Sequence, residues 1–258
     1  MTSEVQPRTL YVVSTPIGNL EDITFRAVSI LSGVDLIAAE DTRTTLVLLR
    51  HYNIAKPLVS YYSYNEARRT PELVEKLASG SSIALVSDAG TPGISDPAFR
   101  MIRATLDRGF PVVAIPGPAA FLPALIASGL PTGRFVFEGF LPVKKGRKTK
   151  LELLALEERT IILYESPHRI LRTLTDLRLV LGDREVSVAR ELTKKFEEIV
   201  RGKLSAVHLH FSSKSIKGEF VLVIAGASRS LPDHLLADQL LPDVSLPGCA
   251  RSADEPET

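Results

Sequence analysis

Five carboxylates stand at the ends of short apolar runs: Glu40, Asp41, Asp88, Glu165 and Glu191. A carboxylate placed there can hold a hydroxyl or an amine, or take a proton from one. Asp88 suits the first task; Glu165 and Glu191 suit a substrate-side, catalytic one. Lys194 closes Glu191-Leu192-Thr193-Lys194 and could stabilise an oxyanion or grip a phosphate. His168, in Ser166-Pro167-His168-Arg169, could accept a proton. Residues 143–150 read VKKGRKTK, five cations with no acid. Lys144, Lys145, Arg147 and Lys148, with Lys150, could neutralise the phosphates of an RNA, which gives salt-dependent affinity without sequence preference. The plain alternatives are a helix cap, a solvated helix start, or ion pairs with Arg43, Arg169 or Arg190, and for any single carboxylate they are at least as common.

Such groups need elements to position them. The runs at 10–13, 34–39, 83–86 and 112–115 read as strands, each followed by an unusual loop: 15–19, 40–43, 88–96 and 116–118. Helical stretches lie between them. Asp22 looks like a cap ahead of Ile23, Ala27, Val28 and Leu31, with Gly33 able to stop the helix in a left-handed conformation. Thr70-Pro71 marks a second helix start, and Asp96-Pro97 a third, ended by Gly109. This βα alternation predicts a largely parallel sheet with helices on its faces. Ligands of such sheets sit outside the C-terminal strand ends, where all four loops fall. Gly18, Gly90, Gly93 and Gly117 let backbone approach a ligand closely. Neither GxGxxG nor GxxxxGK[ST] occurs, so the common dinucleotide and triphosphate cradles are unsupported. A flat cofactor of mixed polarity fits such loops better.

The second half is more mixed. Stretches 135–141, 160–164, 185–189 and 219–224 read as strands, and 167–181 as a helix. Stretch 206–211 alternates and reads as a strand or a short helix; its His208 and His210 have no third ligand at convincing spacing, so no metal is expected. The 258 residues suit two modest domains, expected at 8–118 and 119–226, and the polar, proline-rich stretch 227–258 reads as a largely disordered tail. A net charge of +1 leaves no global demand for nucleic acid or membrane. The lone Cys249 excludes an internal disulfide framework and suits a reducing cytoplasm. The most apolar region, 112–130, is broken by Pro116, Gly117, Pro118 and Pro123 and makes a poor membrane span.

Several longer motifs carry a family resemblance. TPIGNLEDIT (15–24), AEDTR (39–43), SDAGTPGISDP (87–97), PGPAA (116–120), SGLP (128–131), EGFLP (138–142), YESPHR (164–169) and ARELTK (189–194) resemble the 16S ribosomal RNA cytidine 2′-O-methyltransferases, within the tetrapyrrole-methylase superfamily. The likeness runs from about residue 10 to residue 226. It implies an α/β fold of two α/β domains of the tetrapyrrole-methylase type, S-adenosyl-L-methionine in the cleft between them, and a homodimer. It implies transfer of a methyl group to a ribose 2′-oxygen of 16S ribosomal RNA, as free RNA or in the small ribosomal subunit. By motif, Pro16, Ile17, Gly18, Asn19, Asp88, Ala89, Gly90, Ile94, Ser95, Asp96, Ala119 and Ala120 would line the cofactor cleft. Tyr164, Ala189 and Arg190 would join them from the second domain. Three features depart from the pattern: Tyr61-Tyr62-Ser63-Tyr64 where histidines are common, Ala98 where glycine is usual, and a tail unlike the family's lysine-rich helical segment. The competing functions are methylation of a small tetrapyrrole and RNA binding without catalysis.

Overall fold

Along the first strand, Tyr11 and Val13 pack into one apolar cluster and Leu10 and Val12 into another. A strand buried on both faces belongs inside a parallel sheet. The computed structural model describes residues 4–227. Strands β1 (Leu10–Val13), β2 (Leu36–Ala39), β3 (Leu58–Ser60), β4 (Ile83–Val86) and β5 (Val112–Ile115) form one sheet in the order β3-β2-β4-β1-β5, all parallel. Helices α1 (Phe25–Gly33) and α2 (Thr42–His51) supply the cluster on one face. Helices α3 (Glu66–Ala78) and α4 (Ala98–Asp107) supply the other. The crossovers after β1 and β4 thus leave neighbouring strands toward opposite faces, which opens a crevice at their C-terminal ends.

Helix α5 (Phe121–Ser128) packs on a second sheet, through Ala124 and Leu125 against Ile162, Val221 and Val223. That sheet contains β6 (Phe135–Phe140), β7 (Thr160–Glu165), β8 (Glu185–Arg190), β9 (Glu198–Lys203) and β10 (Phe220–Ile224), in the order β6-β7-β10-β8-β9. Only β6 and β7 run parallel; the other pairings are antiparallel. Its far face is covered by α6 (Arg147–Ala155), α7 (Ile170–Leu181) and α8 (Leu204–Ser212). The period-2 alternation is again strict. Ile161 and Leu163 face those helices, and Ile162 faces α5.

Several local expectations change. The first helix is capped by Thr24, whose hydroxyl accepts from the Ala27 amide at 3.1 Å, not by Asp22. Gly33 is the last residue of α1 and is not left-handed. Helix α3 begins at Glu66, seeded by a turn in which Asn65 Oδ1 accepts from the Tyr62 amide, so Pro71 lies inside it. Stretch 206–211 is helical, and its His210 pairs with Glu198 at 2.7 Å. Strand β9 (EIVRGK) carries no apolar signature in the sequence, because this edge strand mixes charged and apolar residues on both faces. Among the described residues no helix is long and apolar enough to cross a membrane. The expected tail lies, from residue 228 on, outside the described residues, as does Cys249.

Candidate active site

The loops at the C-terminal ends of β1, β4 and β5 are tied together. Thr15 and Gly90 form an isolated bridge, each amide donating to the other's carbonyl at 2.9 Å. One residue back, the Ser14 hydroxyl lies 2.9 Å from that of Thr91, which donates to the Pro118 carbonyl at 2.9 Å. The loop after β2 joins through carboxylates: the Asp41 amide donates to Asp88 Oδ1 at 2.9 Å, and the Asp88 amide to Glu40 Oε2 at 3.2 Å. Gly90 sits at φ +84°, where a side chain is strained.

This rim borders a cavity of about 430 Å³. From the first sheet come Ile17, Glu40, residues 87–91, Ile94, Ser95, Asp96, Ala119 and Ala120; from the second, Phe140, Tyr164, residues 165–167, Glu219, Phe220 and Val221. Most of the residues expected from the motifs therefore meet in one place. Pro16 and Gly18 border an adjoining hollow of about 340 Å³ that shares Ile17, Asp88 and Ala89. Asn19 lies beyond, its amide donating to Thr193 Oγ1 at 3.1 Å, so the loop after β1 touches the loop after β8. A larger hollow of about 670 Å³ lies along α3 and α4, where Arg100 pairs with Glu66 and Arg103 with Asp107. Its charges are satisfied within the groove and only Ser95 and Asp96 link it to the strand ends, so the rim cavity is the better candidate.

The electrostatics of that cavity are uneven. Burial pushes the carboxyls of Glu40, Asp88 and Asp96 up from their ordinary values. Asp41 instead falls to about 2, because its bonds from Arg43 favour the anion. Three carboxyls around one space, each pushed upward, favour a cationic ligand, whose charge would favour their anions. Burial also raises Tyr164, whose hydroxyl accepts from the Phe121 amide at 3.2 Å and so stands against the start of α5.

Other expected residues are drawn elsewhere. Glu165 borders the cavity, but its side chain is fully buried. Its oxygens accept from the Ser166 amide (2.8 Å), Arg169 Nε (2.7 Å) and Thr173 Oγ1 (2.7 Å), which commits the carboxylate to structural partners. Ala189 is 1% exposed and packs with Ile17 and Leu192 beneath the cleft. Arg190 is engaged by the Lys217 carbonyl and Glu198, outside the cavity. Glu191 and Lys194 pair at 3.0 Å, and Lys194 also meets Glu219 at 2.8 Å. Burial works against both charges. The bonds from Lys194 and the Glu219 amide nonetheless hold Glu191 below its usual range, and Glu219 and Glu191 hold Lys194 above its own. Lys194 is thus an ammonium behind Glu219, suited to electrostatics and not to taking a proton.

The basic run divides in the same way. Lys144, Lys145 and Lys148 are exposed. Arg147 is buried and bonds Asp176 at 2.9 Å, Thr173 at 2.9 Å and the Pro142 carbonyl at 3.2 Å, so its guanidinium is withheld from any phosphate. Lys150 pairs with Glu138. Sequence reading singled out neither Phe140 nor Glu219 as a site residue, since a single ring or a single carboxylate carries no spacing signal.

A two-sheet α/β chain with its ligand rim at the parallel sheet's C-terminal edge is the architecture of a tetrapyrrole methylase, and residues 9–208 match that family, Tetrapyrrole (Corrin/Porphyrin) Methylases. Among solved structures, the cobalamin-biosynthetic enzyme cobalt precorrin-4 methyltransferase superposes with TM-score 0.65 at 16% identity, over 84% of this chain and 95% of its own. A uroporphyrin-III C-methyltransferase from Thermus thermophilus, complexed with S-adenosylhomocysteine, superposes with TM-score 0.59 at 19% identity, over 84% of this chain and 97% of its own. These likenesses establish the fold. Far nearer in sequence is the ribosomal RNA small subunit methyltransferase I of Synechocystis sp., 57% identical over 237 residues, 90% of this chain and 85% of that protein. The protein of that name from Thermotoga maritima is 48% identical over 217 residues, 84% of this chain and 98% of its own. The chain belongs to the ribosomal RNA small subunit methyltransferase I family of tetrapyrrole methylases.

Proposed function

We propose that this protein methylates the ribose 2′-oxygen of a cytidine in 16S ribosomal RNA, with S-adenosyl-L-methionine as donor. The observation that carries the donor is the rim. A backbone-lined wall, stitched by Thr15–Gly90 and Ser14–Thr91–Pro118, stands beside the carboxyls of Glu40, Asp88 and Asp96. The donor carries a cationic sulfonium, an ammonium and ribose hydroxyls, so it fits such a wall. Asp88, Gly90, Ile94, Ala119 and Ala120 would hold it, with Ile17 and Tyr164 as apolar contacts. When bound, it supplies an electrophilic methyl group.

This chain's own contribution is chiefly orientation. Correct placement of two reactants is worth roughly 7–11 kcal/mol, against about 10²–10⁴-fold for a general base. Glu165 is committed to Arg169 and Thr173, and Lys194 is protonated. Glu219, paired with Lys194, is the second-sheet carboxylate on the cavity wall that we assign to accept a proton from the ribose hydroxyl. Lys144, Lys145 and Lys148 would take phosphates. Division near residue 118, a homodimer and a cytoplasmic location complete the proposal. Ribose methylation of 16S ribosomal RNA, mapped in cells with and without the protein, tests it. Loss of one 2′-O-methyl on deletion is the expected result; an unchanged map would overturn it.

A further inference from the structure

Phe140 differs in kind from the wall it faces. It is a large apolar side chain, 52% exposed, opposite backbone and carboxyl groups. Three features hold it there. The first is a bulge in β6: the pairing with β7 shifts register between Phe137 and Gly139, and Gly139 takes φ +60°. In a regular strand, residues three apart point to opposite faces. Here Phe137 and Phe140 both meet Tyr164, with ring centroids 5.0 Å and 5.8 Å away. The bulge has therefore turned Phe140 to the cleft side, the use to which bulges beside active sites are put. Gly139 also faces the first-sheet wall, since a Cβ there would lie 3.0 Å from Ser95 Oγ.

The second feature is a clamp on the chain that follows. Arg169 donates to the Leu141 carbonyl and Arg147 to the Pro142 carbonyl, each at 3.2 Å. Both guanidiniums are anchored by the buried Glu165 and Thr173, directly for Arg169 and through Thr173 for Arg147. The third is Tyr164 itself, edge-on to Phe140 at 64° and fixed by the Phe121 amide. A ring that is open to solvent yet restrained on both sides is built for stacking.

We propose that Phe140 is the platform on which the target base of the RNA stacks, and so a substrate-positioning residue of the methylation reaction. It rests on the proposed RNA methyltransfer. A base is favoured over the donor's adenine for two reasons. Phe140 lies on the wall opposite the rim. Exposed Lys144 and Lys145 follow it by four and five residues, within about 14–18 Å along the chain. One RNA strand can then place phosphates on the lysines and a base on the ring. Stacking on an aromatic side chain is the usual means of holding an unpaired base.

The test uses Phe140→Leu and Phe140→Tyr in the full chain, with small ribosomal subunits from cells lacking the protein as substrate. Phe140→Leu should raise KM for subunits roughly tenfold, leave the calorimetric Kd for S-adenosylmethionine unchanged, and be rescued by Phe140→Tyr. The unchanged donor Kd also reports that the variants are folded. A weakened donor Kd with unchanged subunit KM would assign the ring to the adenine and overturn the proposal. Unchanged values for both would make Phe140 a spectator and overturn it as well. Failure of the wild-type protein to methylate subunits would instead overturn the function on which it rests.

Discussion

Thr15 and Gly90 exchange both of their backbone hydrogen bonds at 2.9 Å across the ends of β1 and β4. Two loops far apart in sequence thereby become one rigid rim. A Cβ on Gly90 would meet Ile17 Cγ2 at 3.4 Å, ordinary contact, so the cost lies in its φ of +84°. Gly90→Ala should lose about 1–2 kcal/mol of stability and weaken donor binding several-fold. Thermal unfolding and calorimetry with S-adenosylmethionine check both; unchanged donor affinity would remove the bridge from the site.

Asp88 is the carboxylate most central to the rim, bordering both hollows. Asp88→Asn keeps an acceptor for the Asp41 amide but removes the charge. It should weaken donor binding about tenfold while barely changing stability, because the residue is exposed and the amide oxygen still accepts from Asp41. Equal donor affinity in wild type and variant would mean that no cationic ligand sits beside this group.

Glu165 is predicted to hold the structure and not to move protons. Glu165→Gln leaves Arg169 without its buried counter-charge, a loss of about 3–5 kcal/mol. The unfolding temperature should fall sharply, while kcat per donor-binding molecule stays within a few-fold. A kcat collapse in well-folded Glu165→Gln would reinstate it as a base.

The basic run should separate into two behaviours. Changing Lys144, Lys145 and Lys148 together to Ala should weaken RNA binding and flatten its salt dependence, with little effect on stability. Arg147→Ala should do the reverse in stability, since it strips Asp176 and the Pro142 carbonyl of a buried partner. Filter binding across a salt series and thermal melts distinguish them. A salt slope unaltered by the triple change would return these lysines to an ordinary solvated face.

Acid should expose the Glu198 cluster. Lys214 bonds Glu198 at 2.7 Å and, with His210, holds its carboxyl at about 2 against the opposing effect of burial. The folded pKa is below the unfolded value of about 4.3. This stabilisation is therefore complete above the unfolded value and is lost as pH falls toward about 2. Lys214→Met should lower the unfolding temperature at pH 6 by a small amount, of the order of an exposed ion pair. The gap should close near pH 2. A gap independent of pH would point to packing and not charge.

Much of the first sheet was legible without coordinates. Apolar runs such as Ile83–Val86 are buried on both faces, and that burial dictates an unbroken hydrophobic string followed by a glycine-rich loop. Long motifs carried the family, because each is a contiguous stretch. What the chain order alone determined was the inventory: strands, loops, and which charges stand near strand ends. Only tertiary structure decided how those charges are used. Arg147 and Lys148 are neighbours in one basic run, yet one is buried against Asp176 and the other is exposed. Glu165 and Asp88 both stand at strand ends, yet the first is engaged by Arg169 and Thr173 while the second faces the cavity. The reason is physical. Burial and hydrogen-bond partners are set by residues tens of positions away, and a bulge of one residue at Gly139 is enough to turn Phe140 from one face of a strand to the other.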